Sequence, residues 1–217
     1  MEYSAVLFDL DGTLLDSLEG IALAMNAVLS EQGWATHPTA AYATMVGNGI
    51  EEMVERAIGP LRADEETMKK LVADYRRHYS RLWLQHSPPY PGIEELLDFL
   101  VKQGTALAVL SNKRDDFCKS MVAHFFPKIK FVKVCGTLSG VPQKPDPGAA
   151  LAIAEKLAIA PERFLYLGDT DVDMQTAVAA RMFAGGVAWG FRSVAELQAA
   201  GALKIFNHPR DIIAFLS

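Results

Sequence analysis

The chain has 217 residues, of which 50% are hydrophobic and 22% charged, and its formal net charge is −5. This length suits one large domain, or one domain with an insertion, in an ordinary globular protein. The negative charge and the lack of a long basic run argue against a nucleic-acid partner. No apolar stretch is long enough to cross a bilayer, so no membrane partner is expected.

The N-terminus enters an apolar strand almost at once, without the basic and long apolar segments of a secretory signal peptide. The two cysteines, Cys118 and Cys135, lack the spacing and the further partners of a metal site. Reduced thiols are therefore expected, and the sequence predicts a cytoplasmic protein.

Apolar runs that end in polar or glycine-containing segments predict buried parallel strands. Such runs lie at residues 4–10, 105–110, 131–134, 164–167, 183–187 and 204–206. Helical patterns alternate with them at residues 93–103, 115–124, 147–157, 171–180 and 194–199. This alternation predicts an α/β fold in which a doubly wound parallel sheet carries helices on both faces.

The segment 16–85 departs from this alternation, because its apolar spacing is helical almost throughout. Its helical patterns lie at residues 18–32, 39–45, 50–58 and 64–85. A stiff, proline-rich segment then leads back to alternating strands and helices. We therefore predict a core domain made of residues 1–15 and 86–217, with residues 16–85 as an inserted, all-helical domain.

Asp9 and Asp11 lie where the first predicted strand ends, at the sheet edge where ligands of α/β proteins bind. Gly12 follows them and allows the backbone to approach a ligand closely. Two carboxylates this close are expected to differ in role: one attacks phosphorus, and the other protonates the leaving oxygen. Considered alone, the motif is equally typical of a polar turn.

Acidic residues also cluster at a later strand end, where Asp169, Asp171 and Asp173 fall within one short segment. Clustered carboxylates suit Mg²⁺, which prefers oxygen ligands. Helix capping accounts for one or two of these acids but not for all of them. Asp169 is the predicted metal ligand, and Asp171 is the predicted helix cap. Asp173 is expected to contact the metal ligands without binding the metal directly, or to reach the metal through a water molecule.

A phosphate-binding group is predicted from two further segments. Ser111 and Asn112 follow a strand and offer a hydroxyl and backbone N–H groups, although a turn explains this pair equally well. Asp146 and Pro147 make a good helix start, as N-cap and first helical residue. Lys144 has no such structural explanation, and its ammonium could offset the charge of carboxylates and phosphate.

In chain order, Asp9-Leu10-Asp11-Gly12-Thr13, Ser111-Asn112, Lys144-Pro145 and the segment Gly168–Asp173 resemble the hallmarks of the haloacid dehalogenase (HAD) superfamily of phosphohydrolases. The segment Met45–Gly49 and its surroundings resemble phosphoglycolate phosphatases in particular. The resemblance covers the whole chain, and it implies a Rossmann-like core with the helical insertion as a cap.

The resemblance implies roles for the residues that match its motifs. Asp9 would be the nucleophile that forms an aspartyl-phosphate, and Asp11 the general acid/base. Ser111, Asn112 and Lys144 would hold the phosphoryl group. The implied substrate is a small phosphorylated metabolite, with 2-phosphoglycolate as the first choice.

The resemblance also implies a metal and a cap loop. Mg²⁺ would be bound by Asp9, by the backbone carbonyl of Asp11 and by Asp169, with Asp173 behind them. The segment Gly47-Asn48-Gly49 would form a cap loop that reaches over the site.

Other activities remain open on the same fold, namely a different phosphomonoesterase, a pyrophosphatase or a phosphosugar mutase. Mutases such as β-phosphoglucomutase carry a hinge histidine after the nucleophile, and Ile21 occupies that region here. A dehalogenase would need neither Asp11 nor a metal cluster. A catalytically silent binding module is expected to have lost Asp9, Asp11, Lys144 or Asp169, and all are present. The oligomeric state is not indicated.

Overall fold

The computed structural model describes residues 3–61 and 63–217, which include a six-stranded sheet whose neighbouring strands are all parallel. Its strands are β1 (Ala5–Phe8), β2 (Ala106–Arg114), β3 (Lys133–Thr137), β4 (Phe164–Gly168), β5 (Phe183–Val187) and β6 (Lys204–Phe206). The strand order is β3-β2-β1-β4-β5-β6, so the direction of winding switches between β1 and β4. The predicted doubly wound α/β fold is confirmed, and ligands of such sheets bind at this switch point.

The α-helices are α1 (Leu18–Glu31), α2 (Ile50–Ile58), α3 (Glu65–Leu82), α4 (Ile93–Lys102), α5 (Asp115–Phe125), α6 (Gly148–Leu157), α7 (Asp171–Ala179), α8 (Val194–Ala199) and α9 (Pro209–Leu216). The chain divides into two compact units. The core unit comprises the chain up to Leu15 together with Pro89–Ser217. It contains the sheet and the helices α4 to α9. The other, the helical unit, is Asp16–Pro88 and contains α1 to α3.

The centre of the sheet is buried on both faces, since every residue of β1 and β4 is inaccessible to solvent or nearly so. Ala5 and Leu7 point to one face, where they join a core cluster with apolar side chains of α6, α7 and α8. Burial on both faces explains why these strands are continuously apolar and lack an alternating pattern. The carboxyl ends of β1 and β4 therefore lie on a firmly packed platform.

β2 extends further than predicted, because the polar residues after Leu110 read as a turn in the sequence. In the structure its pairing with β3 resumes after an irregularity in register, with Arg114 opposite Thr137. Gly136 permits this close approach, since a Cβ there would collide with the carbonyl oxygen of Lys113. The segment 111–113 is thus held in a strand.

The helix after Lys144 begins one residue later than predicted. Pro147 is its N-cap and Gly148 its first residue, whereas the sequence suggested Asp146 and Pro147 for these positions. The Asp146 carboxylate still accepts a hydrogen bond from the Gly148 N–H at 2.8 Å. It therefore satisfies one of the free N–H groups at the helix start.

In the helical unit, the side-chain amide of Asn26 on α1 binds the chain segment that follows this helix. Its Nδ2 donates to the His37 carbonyl at 2.8 Å, and its Oδ1 accepts from the His37 N–H at 3.0 Å and from the Tyr42 hydroxyl at 2.7 Å. Residues 39–45, where the sequence predicts a helical pattern, contain the 3₁₀-helix Thr39–Thr44. It follows Pro38, and the bond from buried Tyr42 fixes this tighter turn against α1.

Two further observations concern sequence features noted above. Cys118 is buried, Cys135 is partly exposed, and both are free thiols. Among the described residues, no helix combines the length and the hydrophobicity needed to cross a bilayer.

Candidate active site

The carboxyl edge of the sheet brings Asp9, Lys144, Asp169 and Asp173 into one buried cluster, which we call the acid cluster. Lys144 Nζ lies 2.8 Å from Asp9 Oδ1 and 2.6 Å from Asp173 Oδ1. One oxygen from each of the three carboxylates lies within 4.8 Å of the other two. Asp9 follows β1 and Asp169 follows β4, and since these strands are paired, their ends deliver both side chains to the same place.

Asp169 is oriented by hydrogen bonds to both of its oxygens. Oδ1 accepts from the Thr13 hydroxyl at 2.9 Å, and Oδ2 accepts from the Phe191 N–H at 2.9 Å. The backbone approaches this carboxyl group at Gly12 and Gly190, where an added Cβ would collide with Asp169. Gly12 also has a φ of 85°, a conformation that favours glycine.

Asp173 supports the start of α7 as well as Lys144. Thr170 is the N-cap, and its N–H and hydroxyl donate to Asp173 Oδ2 at 3.1 and 2.7 Å, while Oδ1 accepts from Lys144. Both oxygens of Asp173 therefore accept hydrogen bonds from the protein. The expectation that Asp171 caps this helix is wrong: Asp171 is its first residue and lies 3.7 Å from Arg192 Nε.

Asn112 is hydrogen-bonded to the backbone of Lys144 in both directions. Its Nδ2 donates to the Lys144 carbonyl at 2.9 Å, and its Oδ1 accepts from the Lys144 N–H at 3.0 Å. This pair of bonds fixes the point from which the buried Lys144 side chain reaches Asp9. Ser111, also buried, accepts a hydrogen bond from the Lys113 N–H through its hydroxyl oxygen at 3.2 Å.

The acid cluster holds an excess of negative charge. Burial raises the pKa of Asp9 despite the opposing effect of Lys144, and burial with the charges of Asp9 and Asp173 raises the pKa of Asp169. Burial disfavours the charged form of Lys144, but the two carboxylates outweigh it and raise its pKa, so the ammonium persists. When all three carboxylates are ionised, they and the one ammonium carry two excess negative charges, which one divalent cation would balance. The oxygen donors and their charge thus fit Mg²⁺.

Asp11 lies in the turn after β1, and its carboxylate faces Lys113. Lys113 Nζ is 3.0 Å from Oδ1 and 2.9 Å from Oδ2 of Asp11. Lys113 belongs to the extended part of β2, the strand next to β1. The two acids of the first motif therefore contact two different lysines.

The predicted cap loop, Gly47-Asn48-Gly49, lies in the helical unit immediately before α2. Gly47 and Gly49 have φ values of 118° and 95°, which accounts for glycine at both positions. Asn48 Oδ1 accepts a hydrogen bond from Arg56 Nη2 at 2.9 Å, and Arg56 Nη1 donates to the Met45 carbonyl at 2.9 Å. These contacts shape the loop, and its placement over a substrate stays a prediction.

The sequence patterns assign no role to several residues that the structure brings to the site. Lys113 directly follows Ser111-Asn112, and Trp189, whose Nε1 donates to the Thr13 carbonyl at 3.0 Å, follows β5. The positions of Lys113 and Trp189 at strand ends are the sequence feature that could have identified them as site residues. Tyr166, whose hydroxyl lies 3.4 Å from Asp173 Oδ1, sits inside an apolar strand and reads as an ordinary core aromatic.

Known proteins are similar to this chain in sequence and in fold. Residues 6–187 match the family described as haloacid dehalogenase-like hydrolase. Proteins named phosphoglycolate phosphatase from Nitrosospira multiformis and Aquifex aeolicus are 34% and 31% identical, covering 89% and 86% of this chain and 88% and 85% of their own lengths. A crystal structure described as a predicted phosphoglycolate phosphatase from Haemophilus somnus has a TM-score of 0.92 at 25% identity, covering 100% of this chain and 99% of that chain. The chain therefore belongs to the haloacid dehalogenase-like hydrolases.

Proposed function

We propose that this hydrolase is a Mg²⁺-dependent phosphomonoesterase that acts through an aspartyl-phosphate. The observation that carries the proposal is the contact of Asp9 with Lys144 at the carboxyl end of a central strand. A buried ammonium fixed beside a carboxylate is suited to hold a phosphoryl oxygen while that carboxylate attacks phosphorus. The match to the hydrolase family supports this assignment.

Each step uses a side chain of the chain itself. A carboxylate oxygen of Asp9 forms a bond to phosphorus as the bond from phosphorus to the alcohol oxygen breaks. Asp11 gives its proton to the leaving oxygen and then, ionised, takes a proton from the water that attacks the aspartyl-phosphate. Inorganic phosphate leaves, and the Asp9 carboxylate is restored. Ser111, Asn112 and Lys144 would hold the phosphoryl group, and the side-chain amide of Asn112 would also keep Lys144 in position.

We propose that Asp9, Asp169 and the backbone carbonyl of Asp11 hold the Mg²⁺. When bound, the ion would offset the charge of the acid cluster and of the phosphoryl oxygens. Asp169 is oriented by its hydrogen bonds from Thr13 and Phe191. Asp173 accepts protein hydrogen bonds at both oxygens, so it is assigned to the support of Lys144.

Binding of Mg²⁺ is expected to stabilise the folded protein, because the cation relieves repulsion in the acid cluster. At about 100 times its Kd, a ligand of the native state adds about 2.7 kcal/mol, or roughly 5–10 °C in Tm for a chain of this size. Thermal unfolding with MgCl₂ and with KCl at equal ionic strength measures this shift. Asp169→Asn should remove most of it, whereas Asp171→Asn, on the partly exposed carboxylate beside Arg192, should keep it. Equal shifts in both variants would argue against the site.

The proposed substrate is 2-phosphoglycolate. The support comes from relatives named phosphoglycolate phosphatase, which match nearly the whole chain at about 30% identity. The alternative substrates are sugar phosphates, nucleotides and pyrophosphate.

Initial rates of phosphate release test both the proposed phosphomonoesterase activity and the proposed substrate. The panel contains 2-phosphoglycolate, a hexose phosphate, a nucleoside monophosphate, pyrophosphate and 4-nitrophenyl phosphate, each with and without Mg²⁺. We expect Mg²⁺-dependent hydrolysis, with the highest kcat/KM for 2-phosphoglycolate. A different best substrate would reject only the substrate assignment. Absence of hydrolysis by folded, Mg²⁺-loaded protein would reject the phosphomonoesterase, and transfer of the phosphoryl group to added hexose phosphate would indicate a mutase.

A further inference from the structure

We propose that Lys113 is a positioning residue that holds Asp11 in place for proton transfer, an inference that rests on the proposed function. Lys113 Nζ contacts both Asp11 carboxylate oxygens, at 3.0 and 2.9 Å. The side chains of Lys113 and Asp11 are only 9% and 17% exposed. Solvent and salt weaken exposed ion pairs, so a pair this sheltered restrains its carboxylate more firmly than a surface pair does.

The backbone of Lys113 is itself fixed, so its ammonium starts from a defined point. Its N–H donates to Ser111 Oγ at 3.2 Å, and its carbonyl accepts from the Cys118 thiol at 3.5 Å. The residue lies within β2, and the strand beside it approaches closely at Gly136. Lys113 therefore offers Asp11 a support that belongs to the sheet.

Asp11 needs such a support because of where it lies. It stands in a turn beside Gly12, whose φ of 85° marks the bend, and next to the buried carboxylate of Asp9. An acid that protonates a leaving oxygen must lie within hydrogen-bond reach of it, and a displacement of about 1 Å can reduce the rate about 100-fold. Like charges repel, so in the second step, when Asp11 is ionised, an unrestrained carboxylate would turn away from Asp9.

This role predicts different effects on the two chemical steps. An alkoxide leaving group must take a proton from Asp11 as its bond to phosphorus breaks. A 4-nitrophenolate leaving group is a far weaker base and departs without that proton. Hydrolysis of the aspartyl-phosphate needs Asp11 to accept a proton from water, whichever substrate formed the intermediate. Misplacing Asp11 should therefore slow both steps for an alkyl phosphate, but only the second step for 4-nitrophenyl phosphate.

The experiment compares Lys113→Met, Lys113→Arg and a control, Lys119→Met, in the Mg²⁺-loaded full chain. Lys119 lies on α5 and pairs with Asp115, so its loss should leave turnover unchanged. For Lys113→Met we expect kcat on 2-phosphoglycolate, or on the best alkyl phosphate of the panel, to fall about 100-fold with little change in KM. With 4-nitrophenyl phosphate, a burst of 4-nitrophenolate equal to the enzyme concentration should precede slow turnover. In Lys113→Arg, the arginine can form two hydrogen bonds to a carboxylate, so this variant should retain much of kcat.

Two results would overturn the proposal. An equal loss on both kinds of substrate without a burst would mean that Lys113 has only a structural role. A higher KM for 2-phosphoglycolate, with ethyl phosphate unaffected, would mean that Lys113 binds the substrate carboxylate. Lys113→Gln serves the same test if Lys113→Met does not fold. Failure of the wild-type chain to hydrolyse any phosphomonoester would reject the proposed function itself, a result that differs from both.

Discussion

Replacing Asp9 with asparagine should abolish turnover while leaving the fold intact. An amide oxygen is a poor nucleophile and cannot form the aspartyl-phosphate, so kcat should fall by on the order of 10⁴-fold or more. Asparagine has nearly the same shape, and the backbone N–H of residue 9 keeps its bond to the Leu167 carbonyl at 2.9 Å. Removing one negative charge from the acid cluster also relieves repulsion, so stability without Mg²⁺ should not fall.

Two measurements check the Asp9→Asn prediction. Steady-state phosphate release gives the loss in kcat, and acid-quenched protein analysed by intact mass shows the added phosphoryl group in the wild type but not in the variant. The control is Asp171→Asn, which changes a nearby acid that lies 3.7 Å from Arg192 and is 43% exposed. Near-normal turnover by Asp9→Asn, in protein shown by mass to be free of deamidation, would refute the nucleophile assignment.

Replacing Lys144 with methionine should destabilise the folded protein as well as abolish its activity. The ammonium is buried between Asp9 and Asp173, and its loss leaves crowded carboxylates without a counter-ion. Removing one partner of a buried ion pair costs about 3–5 kcal/mol, because the remaining charge is neither solvated nor paired. Urea unfolding without Mg²⁺ measures this loss, and phosphate release should be undetectable at Mg²⁺ concentrations that saturate the wild type.

A second substitution separates stability from chemistry. Asp173→Asn in the Lys144→Met background removes one buried charge, and the asparagine oxygen can still accept from the Thr170 N–H. Part of the lost stability should return, but no activity. Lys69→Met on α3 is the control, since its ion pair with Glu65 is exposed and should be worth less than about 1 kcal/mol. A loss below about 1 kcal/mol for Lys144→Met would contradict the burial argument.

The fold class and the acids and amine of the candidate site could be predicted from the residues alone. Buried parallel strands read as continuous apolar runs, and the predicted strands 183–187 and 204–206 match β5 and β6 at both ends. Ligand groups of such sheets follow strand ends, so Asp9 and Asp169 could be picked out without coordinates. The length of β2, which contains Asn112, could not be predicted, because its last residues are polar and its pairing with β3 resumes only at Arg114, after an irregularity in register.

Which charged groups contact each other became clear from the folded structure. Lys113 and Asp11 are 102 positions apart, and Lys144 and Asp9 are 135 apart, so no local pattern connects them. Periodicity reports which face of an element is buried, but a pairing depends on strand order and on where each turn points its side chain. For the same reason, the contact of the Asn112 side-chain amide with the Lys144 backbone could not be predicted from the sequence.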